Sequence, residues 1–380
     1  MYYVLLTGAK KNIGDFLITD RSKKLLRKER PDRMIHELSA WKRFDDDQLK
    51  LINQSQGIII AGGPGYQRKM YPRVYPLVSD LKRIMVPIIP MALGWKGRIG
   101  DELDIETFRF SKSSQQLLTK IHHTCAYSSC RDLTSQRILE HHGYRNVLMT
   151  GCSSWYDSVH LQQEFVPPDD IKTIAVSVPQ EPDFQQQFFL LLDQITKIFP
   201  KSRLKCFFHR GLSTDDFTSP RDAQNVQTII KHLDHRKISH HDLSYQLESL
   251  DLYDDCTMHI GYRLHAHLFF LSQRKPSFLI NEDGRGESMQ TTLRLNSFSG
   301  VRRSVISRWI LGHSSSPLSS WTEALLIKTR LDRTIQTDLI KNFLNDIRIE
   351  HKQGFPQIQD AQLFIRQQYT IMQKFLRTLP

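Results

Sequence analysis

Two series of short β-rich runs alternating with helical patterns predict an α/β protein of two Rossmann-like domains facing a cleft, with C-terminal helices. Three observations carry this reading. Strand-like and helix-like segments alternate from the first residue, the pattern of a mostly parallel sheet covered by helices. The strand-like runs end in glycine or pass directly into loops, where ligands of such sheets bind. A polar stretch with two prolines, LQQEFVPPDDIK (Leu161 to Lys172), then separates the first series from a second of similar size.

The first series opens with YYVLLTG, followed by a helix over Phe16 to Lys28. GIIIAGG, VPIIPMALG and NVLMTG are further strands, HHTCAYSS is strand-like, and helical patterns cover Tyr71 to Ile84 and Ser114 to His122. The second series runs from TIAVSVPQ through a long amphipathic helix, FQQQFFLLLDQITKIF, to the strand RLKCFFHRG and a helix over Asp222 to Leu233. A helical pattern at SYQLESLDLYDDC, the strand TMHIGYR, a short helix and the strand PSFLI complete it. In the tail, TEALLIKTRLDR, TDLIKNFLNDIR and AQLFIRQQYTIMQKFL read as helices packing across the domains. The expected limits are 1–165 for an N-terminal domain, 166–315 for a C-terminal domain and 316–380 for the helical tail.

With 380 residues, 39% apolar, and five Trp beside twenty Phe, the chain can bury two cores. No run approaches the roughly 20 apolar residues of a membrane helix. MYYVLLTGAKK reads as a first strand and not as a leader peptide. The five cysteines show neither metal nor disulfide spacing, which suggests buried thiols of a cytoplasmic protein. Net charge is +12, with basic residues crowded between Arg21 and Arg43. That run reads as a solvated helix face or as a surface for acidic glycan, lipid phosphate or an anionic leaflet. No nucleic-acid-binding module is present, and no metal constellation appears.

The most informative stretch is GYRLHAHLFFLSQRKPSFLINEDG, Gly261 to Gly284. It carries Arg263 and His265 from a strand end into a helix. Arginine grips carboxylate or phosphate oxygens in pairs, and histidine titrates near neutrality. Together they suggest chemistry on a small anionic substrate. Inside one regular helix the two side chains would point to nearly opposite sides, so they can share a ligand only if Arg263 belongs to the preceding turn. Leu264, Leu268 and Leu271 form the expected buried stripe, and His267 is expected to pack.

Near the N-terminus, GAKKNIGDFLITD places Asn12, Gly14 and Asp15 in a strand–loop–helix turn, either a plain turn or an anion site. Asp15 is expected to cap the helix, with contact to an acceptor sugar as the other option. Gly62 and Gly63 follow the strand GIIIA, but the spacing of a dinucleotide fingerprint is absent. Arg131 opens a later helix as a second anion clamp, or pairs with Asp132 to fix the turn.

Four blocks occur in an order that resembles the polysaccharide pyruvyl transferase family: N-I-G-D at Asn12, IIIAGGPG at Ile58, the R-D-x-x-S helix at Arg131, and R-L-H-A at Arg263. The resemblance implies a glycosyltransferase-B-like fold, with the acceptor on the N-terminal side and the donor on the C-terminal side. It also implies phosphoenolpyruvate as co-substrate, no other cofactor, and transfer of the pyruvyl group to two hydroxyls of a sugar as a ketal. The acceptor would belong to a cell-surface or capsular polysaccharide or its precursor, free or lipid-linked, with peripheral contact at the inner membrane surface as an option.

On this reading His265 is the general acid–base and Arg263 the clamp for phosphate or carboxylate. Arg131, Asn12, Gly14, Asp15, Gly62, Gly63 and Arg285 are the substrate-binding candidates. The chain departs from the family pattern at TGCSSW, where relatives carry an aspartate-proline pair, and at NEDGRGES, where Arg285 stands for a lysine. A glycosyltransferase using a nucleotide-sugar, with Glu282 or Asp283 on the ribose, and a non-catalytic carbohydrate-binding relative are the alternatives.

Overall fold

A computed structural model describes residues 1–97, 102–304 and 331–380, together with Leu325 and Thr329. Apolar runs such as IIIA, IIPM, TIAVS and MHIG are buried along their whole length, as strands covered on both faces must be. The first unit carries β1 (Tyr2–Thr7), β2 (Met34–Ser39), β3 (Ile58–Ala61) and β4 (Ile88–Met91) in the order β2-β1-β3-β4, all parallel. A single bridge from Leu93 to Cys130 continues it into the parallel pair β5 (Ser128–Cys130) and β6 (Val147–Met149). Its helices are α1 (Ile13–Glu29), α2 (Asp46–Asn53), α3 (Glu102–Thr107), α4 (Lys112–Thr124) and α5 (Leu133–His141).

The second unit is a parallel sheet of six strands, β7 (Thr173–Ser177), β8 (Arg203–Phe208), β9 (Ser239–Asp242), β10 (Met258–Gly261), β11 (Ser277–Asn281) and β12 (Phe298–Ser299). They lie in the order β12-β11-β10-β7-β8-β9, with α6 (Gln185–Ile198), α7 (Pro220–His235), α8 (Leu264–Ser272) and α9 (Gly284–Leu293) between them. A short antiparallel pair, β13 (Val301–Arg303) and β14 (Arg333–Ile335), precedes α10 (Leu339–Lys352) and α11 (Pro356–Arg377). α10 packs on α6, and α11 touches α8 and α9 as well as α1 and β6. The chain therefore ends on the first unit, where the Tyr3 hydroxyl donates to the Pro380 carbonyl at 2.5 Å.

Several elements differ from the sequence reading for definite reasons. The helix expected over Tyr71 to Ile84 is a single turn, Met70–Val74, broken at Tyr71, followed by a short 3₁₀ turn. Pro72 and Pro76 remove the amides that a continuing helix would need. The basic stretch from Arg21 to Arg43 is not one helix face. It holds the end of α1 and the largely exposed edge strand β2, whose polar sequence MIHELS hides the alternation. Arg21, Lys23 and Lys24 pair there with Asp157, Glu37 and Asp20. Of TEALLIKTRLDR, the last residue, Arg333, begins β14, and most of the segment lies outside the described residues. All five cysteines are buried free thiols. Among the described residues no helix is long and apolar enough to cross a membrane.

One apolar cluster joins the units. Ile13 and Leu17 of α1 are buried against Ala175, Phe207, Tyr253, Ala266, Phe269 and Phe270, which all belong to the second unit. Lys11, 2% exposed, donates from the loop before α1 to Asp215, Thr218 and the Ser213 carbonyl across the same boundary.

Candidate active site

Between the units opens a cleft of about 960 Å³. Its lining comes from segments that directly follow strands: Gly8 after β1, Gly62 and Gly63 after β3, Lys96 after β4, Gln180 after β7, Arg210 after β8 and Glu282 after β11. This is the carboxyl-end position where open parallel sheets bind ligands.

Arg263 meets the condition set by the sequence. It is the N-cap of α8, with extended backbone angles, and His265 lies in the first helical turn, so both line the cleft. A buried hydrogen-bond chain fixes this turn. The Arg263 amide donates to the Ser177 hydroxyl at 2.9 Å, and Ser177 lies 2.8 Å from His259 Nε2. His259 Nδ1 and His267 Nδ1 each lie 2.8 Å from the Ser277 hydroxyl. His267 thus packs as expected, whereas α8 is buried nearly all round and not along a leucine stripe alone.

The Arg263 guanidinium reaches both units. Nη1 donates to Gln180 Oε1 at 3.0 Å and lies 3.8 Å from Glu282 Oε2, and Nη2 donates to Asn12 Oδ1 at 3.2 Å. Asn12 is the N-cap of α1, but its oxygen serves Arg263 in place of the helix amides, and its amide donates to Asp15 Oδ2 at 3.2 Å. Asp15 is therefore not the cap. It sits in the first turn and lines the cleft, its carboxyl raised by burial against the pull of Asn12 and nearby arginines.

Gly14 has a role that the sequence does not disclose. A Cβ there would lie 2.5 Å from His265 Nδ1, so the glycine makes room for the imidazole. Gly62 and Gly63 adopt φ of +48° and +76°, which glycine accepts without strain, and Gly63 has nothing within 4 Å of where a side chain would begin.

Two expected features need correction. The sequence suggested a histidine titrating near neutrality. Burial, and then the charges of Arg131, Arg285 and Arg263, push His265 down to about 3, so it is neutral among its protein neighbours. Arg131 is fully buried and does not line the cleft. Its Nε donates to Asp132 at 3.1 Å, Asp132 caps α5, and the guanidinium lies over Gly94, behind the cleft wall. It acts on His265 as a fixed charge and not as a clamp.

Arg285 does line the cleft, held in a tight pair by Asp283, whose carboxyl Arg285 keeps below the usual range despite burial. Glu282 Oε1 accepts from the Gln180 and Glu181 amides at 2.8 and 3.1 Å. Burial, opposed by Arg263 and those amides, pushes this carboxyl up to about 7. The sequence reading missed Arg210, Lys10 and Lys96 as cleft residues. Each follows a strand, so the carboxyl-end rule would have found them. Among the described residues, no three His, Cys, Asp or Glu side chains are placed to hold a metal ion.

Around the site, His209, His259, His265 and His267 are held below their ordinary values, first by burial. Below pH ~6.5 the unfolded chain protonates them and the folded chain does not, so stability falls with pH by up to about 1.4 kcal/mol per unit for each histidine. Thermal unfolding followed from pH 8 to 5 should show Tm falling steeply below 6.5. A flat profile would mean that these imidazoles are not buried neutral.

Two units of parallel sheet facing a ligand cleft, with a returning C-terminal helix, define a glycosyltransferase-B-like protein. The polysaccharide pyruvyl transferase family model matches residues 12–284, and the chain belongs to that family. No curated protein matches it. Among solved structures, the S. aureus MnaA–UDP co-structure aligns over 95% of this chain and 91% of its own, with a TM-score of 0.52 and 11% identity. UDP-GlcNAc 2-epimerase from Neisseria meningitidis, bound to UDP-GlcNAc, aligns over 94% of both chains with a TM-score of 0.48 and 11% identity. At such identity the MnaA likeness shows the fold.

Proposed function

We propose that the protein transfers the pyruvyl group of phosphoenolpyruvate to two hydroxyls of a sugar in a cell-surface or capsular polysaccharide or its precursor. The observation that carries this reading is the convergence of Arg263 and His265, from the R-L-H-A turn, on one cleft with Arg210 and Arg285. Phosphoenolpyruvate brings phosphate and carboxylate together and needs fixed positive charge. Its methylene carbon gains a proton, two acceptor oxygens bond to the adjacent carbon, and the carbon–oxygen bond to phosphate breaks. The two hydroxyl protons end on the new methyl group and on the released phosphate.

Neutral His265 is set to take a proton from the acceptor hydroxyl. The donor's negative charge offsets the surrounding arginines, raises the imidazole's proton affinity and lets it pass that proton to the methylene carbon. Glycosyl transfer would ask Glu282 or Asp283 to hold a ribose. Both carboxylates are engaged, by backbone amides and by Arg285, which favours pyruvyl transfer. The proposal places the reaction in the cytoplasm, with the acceptor free or lipid-linked.

Titration calorimetry with phosphoenolpyruvate tests the donor assignment. Saturable binding is expected, weakened at least tenfold in Arg263→Ala, the scale of a lost charge-assisted pair. Binding of a nucleotide-sugar in place of phosphoenolpyruvate would overturn the assignment.

A further inference from the structure

The two walls of the cleft differ in how their charges are balanced. On the second unit, Arg263 faces Glu282, Arg285 faces Asp283, and Arg333 lies 3.2 Å from Asp183, while Arg210 bonds to the Phe217 carbonyl and has no ion pair with a carboxylate among the described residues. On the first unit, Lys10, Arg73 and Lys96 line the same cleft, and none of them has an ion pair with a carboxylate among the described residues. Asp15, the carboxylate on that wall, is bonded to Asn12 and feels the arginines of the opposite unit.

Lys10 is nevertheless held in place. Its ammonium sits 3.9 Å above the centre of the Trp41 ring and 5.9 Å from that of Phe217. Aromatic faces position a cation without cancelling its charge as a carboxylate would. Beside it the cleft wall is bare backbone: neither Gly8 nor Gly63 has any atom within 4 Å of where a Cβ would stand, and both line the cleft. This leaves an open strip flanked by Lys10, Arg73 and Lys96, cations without an ion-paired carboxylate among the described residues, of which Lys96 also acts on Asp283 across the cleft. Such a strip suits a pyranose ring that carries an acidic group.

We infer that the first-unit wall is a binding site for an anionic sugar, with Lys10, Arg73 and Lys96 reading a phosphate or carboxylate on the acceptor. Calling that sugar the acceptor rests on the pyruvyl transfer proposed above. The anion-binding site itself does not. Trp41 acts by positioning Lys10.

The test is titration calorimetry of the full chain, with and without saturating phosphoenolpyruvate, against hexose 1-phosphate, a hexuronic acid and the matching neutral methyl hexoside. At least one charged sugar should bind roughly tenfold or more tightly than the neutral one, with a preference that shrinks as salt rises. Whether the phosphate or the uronate arm responds identifies the acidic group. A Lys10→Gln/Arg73→Gln variant should lose the preference yet keep phosphoenolpyruvate binding, and Arg263→Ala should do the reverse. Equal binding of charged and neutral sugars, no sugar binding in either condition, or a preference that survives the double substitution would overturn the inference. So would competition between the anionic sugar and phosphoenolpyruvate, which would place both in the donor site. If phosphoenolpyruvate fails to bind while the charged sugar binds through Lys10 and Arg73, the anion site stands and the pyruvyl-transfer reading falls.

Discussion

Replacing His265 with asparagine should lower turnover of the proposed reaction about 10²–10⁴-fold, the usual contribution of a positioned acid–base. Asparagine keeps the polarity and roughly the size of the imidazole, so the fold should persist. Because one imidazole takes the acceptor's proton and delivers it to the donor, no other step should compensate. Binding of phosphoenolpyruvate should survive, since Arg263, Arg210 and Arg285 remain in the cleft. Steady-state rates and titration calorimetry on the same preparation measure both effects. A variant that keeps most of its turnover would remove His265 from the chemistry.

Gly14→Ala should be almost as damaging to turnover, for a different reason. A Cβ at this position lies 2.5 Å from His265 Nδ1 and 2.8 Å from its Cβ and Cγ. Rotating the ring does not relieve the last two contacts, so the start of α8 or α1 must shift. Alanine favours a helix over glycine by about 0.5–1 kcal/mol, and overpacking costs about 1–3 kcal/mol. The net change in stability should therefore stay within about 2.5 kcal/mol, while the rate falls at least about 10²-fold through misplacement of the imidazole. Denaturation midpoints beside rates separate the two. Wild-type activity in a folded Gly14→Ala protein would show that the contact can be relieved without cost.

The architecture was largely legible because the signals that build it are strong. Runs such as GIIIA and TIAVS read as buried strands because they are short, rich in β-branched residues and bounded by loops, and glycine after a strand marks where the cleft opens. What the sequence concealed was weakly coded or non-local. β2 and β9 are edge strands with polar sequences, MIHELS and SHHD, that carry no apolar alternation. Pro72 and Pro76 overruled a helical pattern that was otherwise regular.

At the site, the position of Arg263 before α8 was foreseen as a requirement, since geometry allowed one arrangement. The burial of Arg131 was not, because a residue that opens a helix after a strand can face either the ligand or the wall. The low proton affinity of His265 comes first from burial and then from Arg131, Arg285 and Arg263, of which Arg263 alone is a close neighbour in sequence. The service of Asn12 to Arg263, 251 positions away, is equally invisible before folding.

The shared cluster around α1 bears on how substrates enter. Ile13 and Leu17 belong to the first unit and are buried among side chains of the second. Swinging the units apart would expose both to water, at about 1.5–3 kcal/mol each. Tenfold in population corresponds to 1.4 kcal/mol, so a wide-open form would be about 10²–10⁴ times rarer than the closed one. The bridge from Asn12 to Arg263 then stands in the resting protein, before any ligand arrives. Its clamp is preorganised, and binding energy remains for distorting substrates instead of assembling the site.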